Sequence, residues 1–265
     1  MSFDESKLKE IPVDRDVLRK LLGALPPHMI MVGGQALAFW VEHYGINAAT
    51  SICGNMAAHI SRDVDFLGRR DDVSVLASLI SGVAKYPPAR AMTILCGQAI
   101  LIQKEAGTYM NIDVIHRIGN MDTDAVSRRA IEAELSNIKG AFLVMHPLDV
   151  LASRAENYRG IPDKQTPNGR RQVILSIDVA QSYIKSLSGD EEKRAISAIE
   201  RVAEIARSPA GAIARANGVE IYDAIRPEVL REIISNENFI KHRLPRLELE
   251  ISANAGVVDE LPSPK

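Results

Sequence analysis

The sequence predicts a mixed α/β protein of the α+β type, in which a mixed sheet flanked by helices precedes a C-terminal helical lobe. Short apolar runs alternate with amphipathic segments over residues 1–146, whereas helical spacing dominates from Pro147 onward. The chain has 265 residues, 46% of them hydrophobic, which suffices for one substantial core or two modest ones. We therefore expect two lobes, at 1–146 and 147–252, and a disordered tail at 253–265.

The first predicted elements are a helix and then a strand that ends at two glycines. Asp14 is the candidate N-cap of an amphipathic helix that ends near a Pro-Pro pair. Residues 29–32 form an apolar run typical of a buried strand, and Gly33 and Gly34 lead into a helix predicted over 35–44. This arrangement favours anion binding. Glycine has no Cβ, so the backbone N–H groups at the start of the helix can approach a ligand without obstruction.

Three aspartates occupy strand positions suited to a divalent cation. Asp63 and Asp65 are separated by one valine, so a strand here places both carboxylates on one face. A strand over 109–115 places Asp113 and Asn111 on a shared face, and Asp113 joins the first two acids if the strands are neighbours. Mg²⁺ prefers a few carboxylates together with substrate phosphates and waters, so two or three acids are enough.

The rest of the first lobe is predicted from local patterns. The segment 45–60 has no clear period and is predicted as a loop over the site. Asp71 or Asp72 is the candidate cap of a helix whose buried side carries Val73, Val75, Leu76, Leu79 and Ile80. Turns are predicted at 96–97 and 106–107. Further strands are predicted at 91–95, 99–103, 130–135 and 141–145.

The second lobe is predicted to begin with a helix at Pro147. Its first two helices carry apolar stripes with helical spacing, and a polar loop is predicted between them over 159–171. Further helices are predicted over 195–207 and 227–234. The two stripes consist of Leu148, Leu151, Ala152 and Ala155, and of Val173, Ile177, Ala180 and Ile184.

Charge and cysteine content exclude several classes of protein. The formal net charge is −2, which argues against a basic protein that coats nucleic acid; the arginine pairs at 69–70, 128–129 and 170–171 leave a local basic patch open. Cys53 and Cys96 are too few for a disulfide framework, so we expect a reduced, cytoplasmic setting. No apolar run approaches membrane-spanning length, so no membrane partner is expected.

Taken in order, Val32-Gly33-Gly34 and Asp63-Val64-Asp65 resemble the signature of the nucleotidyltransferase superfamily: a strand, Gly-Gly or Gly-Ser, a helix, and Asp-x-Asp on the next strand. Within that superfamily, Gly33-Gly34-Gln35-Ala36-Leu37 and Ser61-Arg62-Asp63-Val64-Asp65-Phe66 are similar to the AbiEii-type nucleotidyltransferase toxins. A third cue is the helical sequence of residues 146–154, which matches the family pattern with Arg154 in place of the usual Lys.

The chain departs from the family pattern at two further points. The interval between Gly34 and Asp63 is longer than in the family, which implies an insertion at 45–60. The usual Lys-Asp-x-x-Asp is absent, and Arg170, Arg171 and Asp178 are the nearest candidates to replace it. Arg154 keeps the positive charge of the family Lys but presents a planar fork in place of a point charge.

The resemblance implies a nucleotidyltransferase fold and a Mg²⁺-dependent enzyme that transfers a nucleotide from an NTP to an acceptor. As in toxin-antitoxin systems, the acceptor it implies is tRNA, and the protein partner it implies is an antitoxin. It implies that Asp63, Asp65 and Asp113 are catalytic and hold the metal. The nucleotide-binding residues would be Gly33, Gly34, Gln35, Ser61, Arg62 and Arg154. Two alternatives stay open: nucleotidyl transfer to a small molecule or a protein hydroxyl, and a non-catalytic member of the fold that binds a nucleotide or a partner protein.

Overall fold

The computed structural model describes residues 8–46, 64–135, 140–187 and 191–255. In these ranges eight strands form one sheet: β1 (Lys9–Glu10), β2 (Ile30–Val32), β3 (Val64–Leu67), β4 (Val83–Lys85), β5 (Leu95–Gln103), β6 (Thr108–Ile115), β7 (Ile131–Ala133) and β8 (Phe142–Val144). The same ranges contain ten α-helices: α1 (Arg15–Leu22), α2 (Gly33–His43), α3 (Arg70–Leu79), α4 (Thr123–Arg129), α5 (Pro147–Gly160), α6 (Pro167–Ser186), α7 (Glu192–Arg207), α8 (Pro209–Ala216), α9 (Pro227–Ile233) and α10 (Leu244–Ala255). Short 3-10 helices lie at Pro162–Lys164 and Ile221–Ile225, and a π-helix lies at Phe239–Arg243.

The sheet is mixed. Its strand order is β4-β5-β6-β3-β2-β8-β7, and β1 pairs with β6 beside this path. The pairs β1/β6, β3/β6 and β2/β8 are parallel, whereas β2/β3, β4/β5, β5/β6 and β7/β8 are antiparallel. The predicted α+β class, with a mixed sheet and helices, is confirmed.

The two faces of the central strands differ in polarity. Val64, Phe66, Ile112 and Val114 alternate along β3 and β6 and are fully buried. Helix α3 packs against β5 and β6. The intervening positions on the opposite face are only half-buried and include the acids of β3 and β6. Because side chains alternate along a strand, the apolar residues build the core and leave the polar ones on the second face.

Several local predictions are confirmed. Asp14 caps α1, and its Oδ1 accepts a hydrogen bond from the backbone N–H of Asp16 at 2.7 Å. Helix α5 begins at Pro147, as expected for a residue whose missing N–H costs nothing in the first turn. Helix α2 begins at Gly33 itself, two residues earlier than predicted, so the glycine pair forms its first turn.

The prediction of a turn at Cys96-Gly97 is wrong. A single strand, β5, runs through both residues, and its register with β6 shifts between Leu95 and Gly97, which is the mark of a β-bulge. A Cβ on Gly97 would lie 2.7 Å from the backbone oxygen of Lys85 in β4. Glycine at this position therefore lets β4 and β5 approach each other closely. The predicted strand at 91–95 is also wrong, because only its last residue is in a strand, and β4 was not predicted.

The start of α3 corrects the predicted cap. The N-cap position is Arg69, and Asp72 contributes from inside the first turn, where its Oδ2 accepts from the Arg69 backbone N–H at 2.6 Å. Val73, Leu76 and Ile80 are buried as predicted, with exposed fractions of 0%, 0% and 5%. Val75 is 42% exposed, so its predicted place on the buried side is wrong.

The polar loop predicted over 159–171 is shorter than expected. Helix α5 continues to Gly160, and α6 already begins at Pro167. Thr166 caps α6, its Oγ1 accepting from the Gly169 backbone N–H at 3.1 Å. A Thr N-cap followed by Pro at the first helical position is a helix-start signal, although proline and glycine are also common in loops.

The chain divides into two compact units, residues 1–40 with 56–153 and residues 41–55 with 154–265. The division falls inside α5, whereas the boundary predicted at 146/147 coincides with the start of that helix. In its described part the second unit is helical, and α6 and α7 both pack on the 3-10 helix Ile221–Ile225, where Tyr222 is 1% exposed. Of the predicted tail, 253–255 end α10 and 256–265 lie outside the described residues.

Both apolar stripes of the second predicted lobe are buried, with no member more than 9% exposed.

Among the described residues no helix has both the length and the apolarity needed to cross a membrane.

Candidate functional site

Two of the predicted acids lie side by side in the first unit. Strands β3 and β6 are parallel neighbours, and Asp65 and Asp113 are Cα partners in their register. Directly paired residues of adjacent strands project from the same face, and neighbouring strands lie about 4.8 Å apart. The two half-buried carboxylates therefore occupy the same stretch of the polar face.

Gly33 lies against the carboxylate of Asp65. A Cβ on Gly33 would overlap Asp65 Oδ2 and would lie 3.2 Å from Asp65 Cγ. The φ angle of Gly33 is +70°, a left-handed conformation that side-chain-bearing residues rarely adopt. Both the backbone conformation and the space therefore require glycine where β2 passes into α2. The start of α2 is thereby placed beside one of the two acids.

Two amide side chains hold Asp113. Gln98 of β5 is its Cα partner across the antiparallel pair, and Gln98 Nε2 donates to Asp113 Oδ1 at 2.9 Å. Asn111 Nδ2 donates to the same oxygen at 2.8 Å. Asn111 was predicted to share this face, but Gln98 was missed. A glutamine in the middle of the apolar run 95–103 was the available signal, and the bulge at its start concealed its register.

The remaining nucleotide-binding candidates are distributed as follows. Gly34 is buried and Gln35 half-buried in the first turn of α2. Arg154 belongs to the second unit, where it is 9% exposed and its Nη1 donates to Gln172 Oε1 at 3.1 Å. The other candidates, Ser61, Arg62 and Asp63, lie outside the described residues, as does most of the predicted insertion at 45–60.

The donors of this site suit Mg²⁺. In the part of the chain that the structure describes, no group of three or more His, Cys, Asp or Glu side chains could hold a metal. Asp65 and Asp113 nevertheless provide two hard oxygen donors on adjacent strands. Mg²⁺ commonly takes one or two protein carboxylates and completes its shell with phosphate oxygens and water. The pair therefore fits this ion when a nucleotide supplies the other oxygens.

Cys96 does not have the properties of a nucleophile. It is half-buried, and its Sγ lies 3.7 Å from the Gly68 carbonyl oxygen. Burial raises the pKa of the Cys96 thiol, and the negative charge of Asp72 raises it further. A raised pKa keeps the thiol protonated at neutral pH, whereas nucleophilic cysteines need the thiolate.

At least one arginine of each predicted pair is engaged within the protein. Arg129 forms two hydrogen bonds of 2.9 and 2.8 Å with Asp149, which is 1% exposed at the start of α5. Arg170 donates to the backbone oxygens of Asn217 and Gly218 at 3.1 and 2.8 Å. Arg70 lies 4.4 Å from the centre of the Tyr86 ring. These contacts stabilise the fold and reduce the arginine surface available to a polyanion.

No protein-family model matches the chain, and a search of curated proteins gives no significant match.

Proposed function

We propose that this protein is a Mg²⁺-dependent nucleotidyltransferase that moves a nucleotide from an NTP to an acceptor, with RNA, and tRNA in particular, as the first acceptor to test. One observation carries the proposal: Asp65 and Asp113 are register partners on parallel strands, and Gly33 at the start of α2 lies so close to the Asp65 carboxylate that a Cβ there would overlap it. Paired acids beside a glycine-initiated helix bring cation-binding and phosphate-binding groups together.

In the proposed reaction each predicted site residue would have a distinct role. Asp65 and Asp113 would hold Mg²⁺, with Asp63 as the third acid predicted from the sequence. When bound, the ion would neutralise phosphate charge and stabilise the attacking and leaving oxygens. Gly33 and Gly34 would let phosphate oxygens approach the backbone N–H groups at the start of α2. Gln35, Ser61 and Arg62 would make the polar contacts to the nucleotide that the sequence predicts.

A second candidate keeps the reaction but changes the acceptor to a small molecule or a protein hydroxyl. Arg70, Arg129 and Arg170, one from each arginine pair, are held by contacts within the protein. An extended basic surface for RNA therefore has less support than the sequence alone suggested. The non-catalytic alternative, binding of a nucleotide or partner without transfer, rests on the departures at Arg154 and at the missing Lys-Asp pair.

Incubation of the purified protein with each α-³²P-labelled NTP and Mg²⁺, with and without total tRNA, tests the proposal. Asp65→Asn and Asp113→Asn remove one charge each at nearly constant volume, and we expect both to abolish metal-dependent transfer. Asp63→Ala is expected to do the same. Asp124→Asn, at an exposed position in α4, is the matched control and should transfer at the wild-type rate.

The outcomes separate the candidates. Label in RNA with wild type and Asp124→Asn, but not with Asp65→Asn, would support an RNA nucleotidyltransferase. NTP binding that depends on Mg²⁺, without label in RNA, would direct the search to small-molecule or protein acceptors. Full activity of a folded Asp65→Asn protein would contradict the mechanism, and absence of NTP binding in wild type would contradict the enzyme proposal itself.

A further inference from the structure

Two amide side chains donate hydrogen bonds to the same oxygen of Asp113. Gln98 Nε2 and Asn111 Nδ2 both donate to Oδ1, at 2.9 and 2.8 Å. One donor comes from the neighbouring strand β5 and the other from β6 itself, two residues before the aspartate. A carboxylate oxygen has two lone pairs in its plane, so two N–H donors fill Oδ1 and restrict rotation of the carboxylate.

The orientation of the Asn111 amide has a cost in stability. Its Oδ1 is buried and has no hydrogen-bond partner in the described structure. Turning the amide over would satisfy neither end, because it would place Asn111 Oδ1 2.8 Å from the acidic oxygen that its Nδ2 now contacts. A buried acceptor without a partner destabilises a fold, so packing alone does not explain an asparagine here.

We infer that Asn111 and Gln98 are positioning residues for Asp113: their two hydrogen bonds to Oδ1 hold the carboxylate in the orientation that binds the metal. This inference rests on the proposed function. Neither amide need touch the substrate. Outer partners that orient a ligating carboxylate commonly matter 10- to 100-fold, by order of magnitude, for metal affinity or activity. The buried, unpaired oxygen of Asn111 is then the structural consequence of directing its amide at Asp113.

Asn111→Leu is the informative variant, because leucine has a similar size and removes both the donor and the unpaired acceptor. Gln98→Leu removes the second donor. Gln103→Leu is the matched control: Gln103 lies on the same strand β5 and accepts a hydrogen bond from Thr108 at 2.9 Å, away from Asp113. The readouts are the urea unfolding midpoint, the dissociation constant for Mn²⁺ alone, and kcat and KM for nucleotidyl transfer.

We expect Asn111→Leu to unfold at the same or a higher urea concentration than wild type, while its Mn²⁺ dissociation constant rises about 10- to 100-fold. Its kcat should fall by a similar factor, with the KM for NTP essentially unchanged. Gln98→Leu should weaken Mn²⁺ binding in the same direction. Gln103→Leu should bind Mn²⁺ and turn over like wild type. Stability and function thus move apart, which a purely structural asparagine would not produce.

Two results would overturn the inference and are distinguishable from failure of the proposed function. If a folded Asn111→Leu protein binds Mn²⁺ as tightly as wild type, the positioning role is refuted and the proposed function is unaffected. A lower urea midpoint with unchanged Mn²⁺ binding would make Asn111 a structural residue and also refute the role. If wild type binds no Mn²⁺, the proposed function fails and the positioning role fails with it.

Discussion

Gly33 is constrained both by its backbone conformation and by the space around it. Its φ of +70° lies in the left-handed region, and a Cβ at this position would overlap the Asp65 carboxylate. Gly107, in the turn between β5 and β6, has a similar φ of +63°, but a Cβ there would meet nothing within 4 Å. The two glycines therefore allow the backbone effect of a side chain to be separated from its steric effect.

We expect Gly107→Ala to lower the free energy of unfolding by about 1–2 kcal/mol, the cost of a left-handed alanine. Gly33→Ala adds overpacking against Asp65 and should lower it by about 2–5 kcal/mol in total. It should also weaken Mn²⁺ binding, because relief of the overlap displaces the carboxylate. Urea unfolding and Mn²⁺ titration of the two variants provide the test, and equal losses with wild-type Mn²⁺ affinity in both would contradict it.

At the residue scale, the sequence predicts what strand alternation determines. The shared polar face of Asp113 and Asn111 follows from alternation, and so does burial of Val64 and Phe66 opposite Asp65. The partnership of Asp65 with Asp113 required strand adjacency, which one sequence does not contain. Gln98 required the register of β5 on β6 as well.

At the scale of elements, the start of α7 is joined to the segment that follows α9 through Glu192. Glu192 Oε1 accepts hydrogen bonds from the Ser235 backbone N–H and, at 2.9 Å, from the Ser235 hydroxyl. The Asn236 backbone N–H donates to the same oxygen at 2.8 Å. These bonds, led by the one from the Ser235 backbone, lower the pKa of Glu192 from its ordinary value of 4.5. The ionised carboxylate thus caps this segment in the folded protein.

A lowered pKa fixes the sign of the pH dependence. The stabilisation by Glu192 is present above the unfolded pKa and is lost as the pH falls through the folded one. We therefore expect Glu192→Gln to lower the urea midpoint at neutral pH, and the difference from wild type to narrow as the pH falls below 4.5. Urea unfolding across this pH range measures the effect.

Glu228→Gln, at an exposed position in α9, provides the control and should follow wild type throughout. A Glu192→Gln difference that stays constant with pH would show that the carboxylate contributes through its shape and not through its charge.

Helices and strands were predictable where one local signal dominated. The Asp14 cap, Pro147 and the apolar stripe of α6 each mark an element found in the structure. The errors occur where a glycine or a proline is compatible with two kinds of local structure. Gly97 marks a bulge within a strand, and Pro167 starts a helix; both residues also occur in turns. Only the pairing partner or the cap distinguishes these uses.

For the whole molecule, composition limits how the chain can bind a polyanion. It carries 32 Lys and Arg against 34 Asp and Glu, a formal net charge of −2. Arg129 and Arg170 are engaged by contacts within the protein. Long-range attraction of RNA by the protein as a whole is therefore weak, and RNA binding would depend on a small number of local contacts. The same near-neutral net charge argues, from the sequence alone, against a basic protein that coats nucleic acid.

This charge balance predicts a shallow salt dependence for tRNA binding. Each phosphate neutralised by Lys or Arg adds roughly −0.7 to −0.9 to the slope of log K against log salt concentration, so a few contacts give a slope of about −1 to −3. Fluorescence anisotropy of labelled tRNA with the Asp65→Asn protein, between about 50 and about 200 mM salt, measures this slope without turnover. A slope near roughly −10 would reveal an extended basic surface and contradict the reasoning from net charge. A slope in the expected range would instead show that the protein binds tRNA through a few ionic contacts and not through its overall electrostatic field.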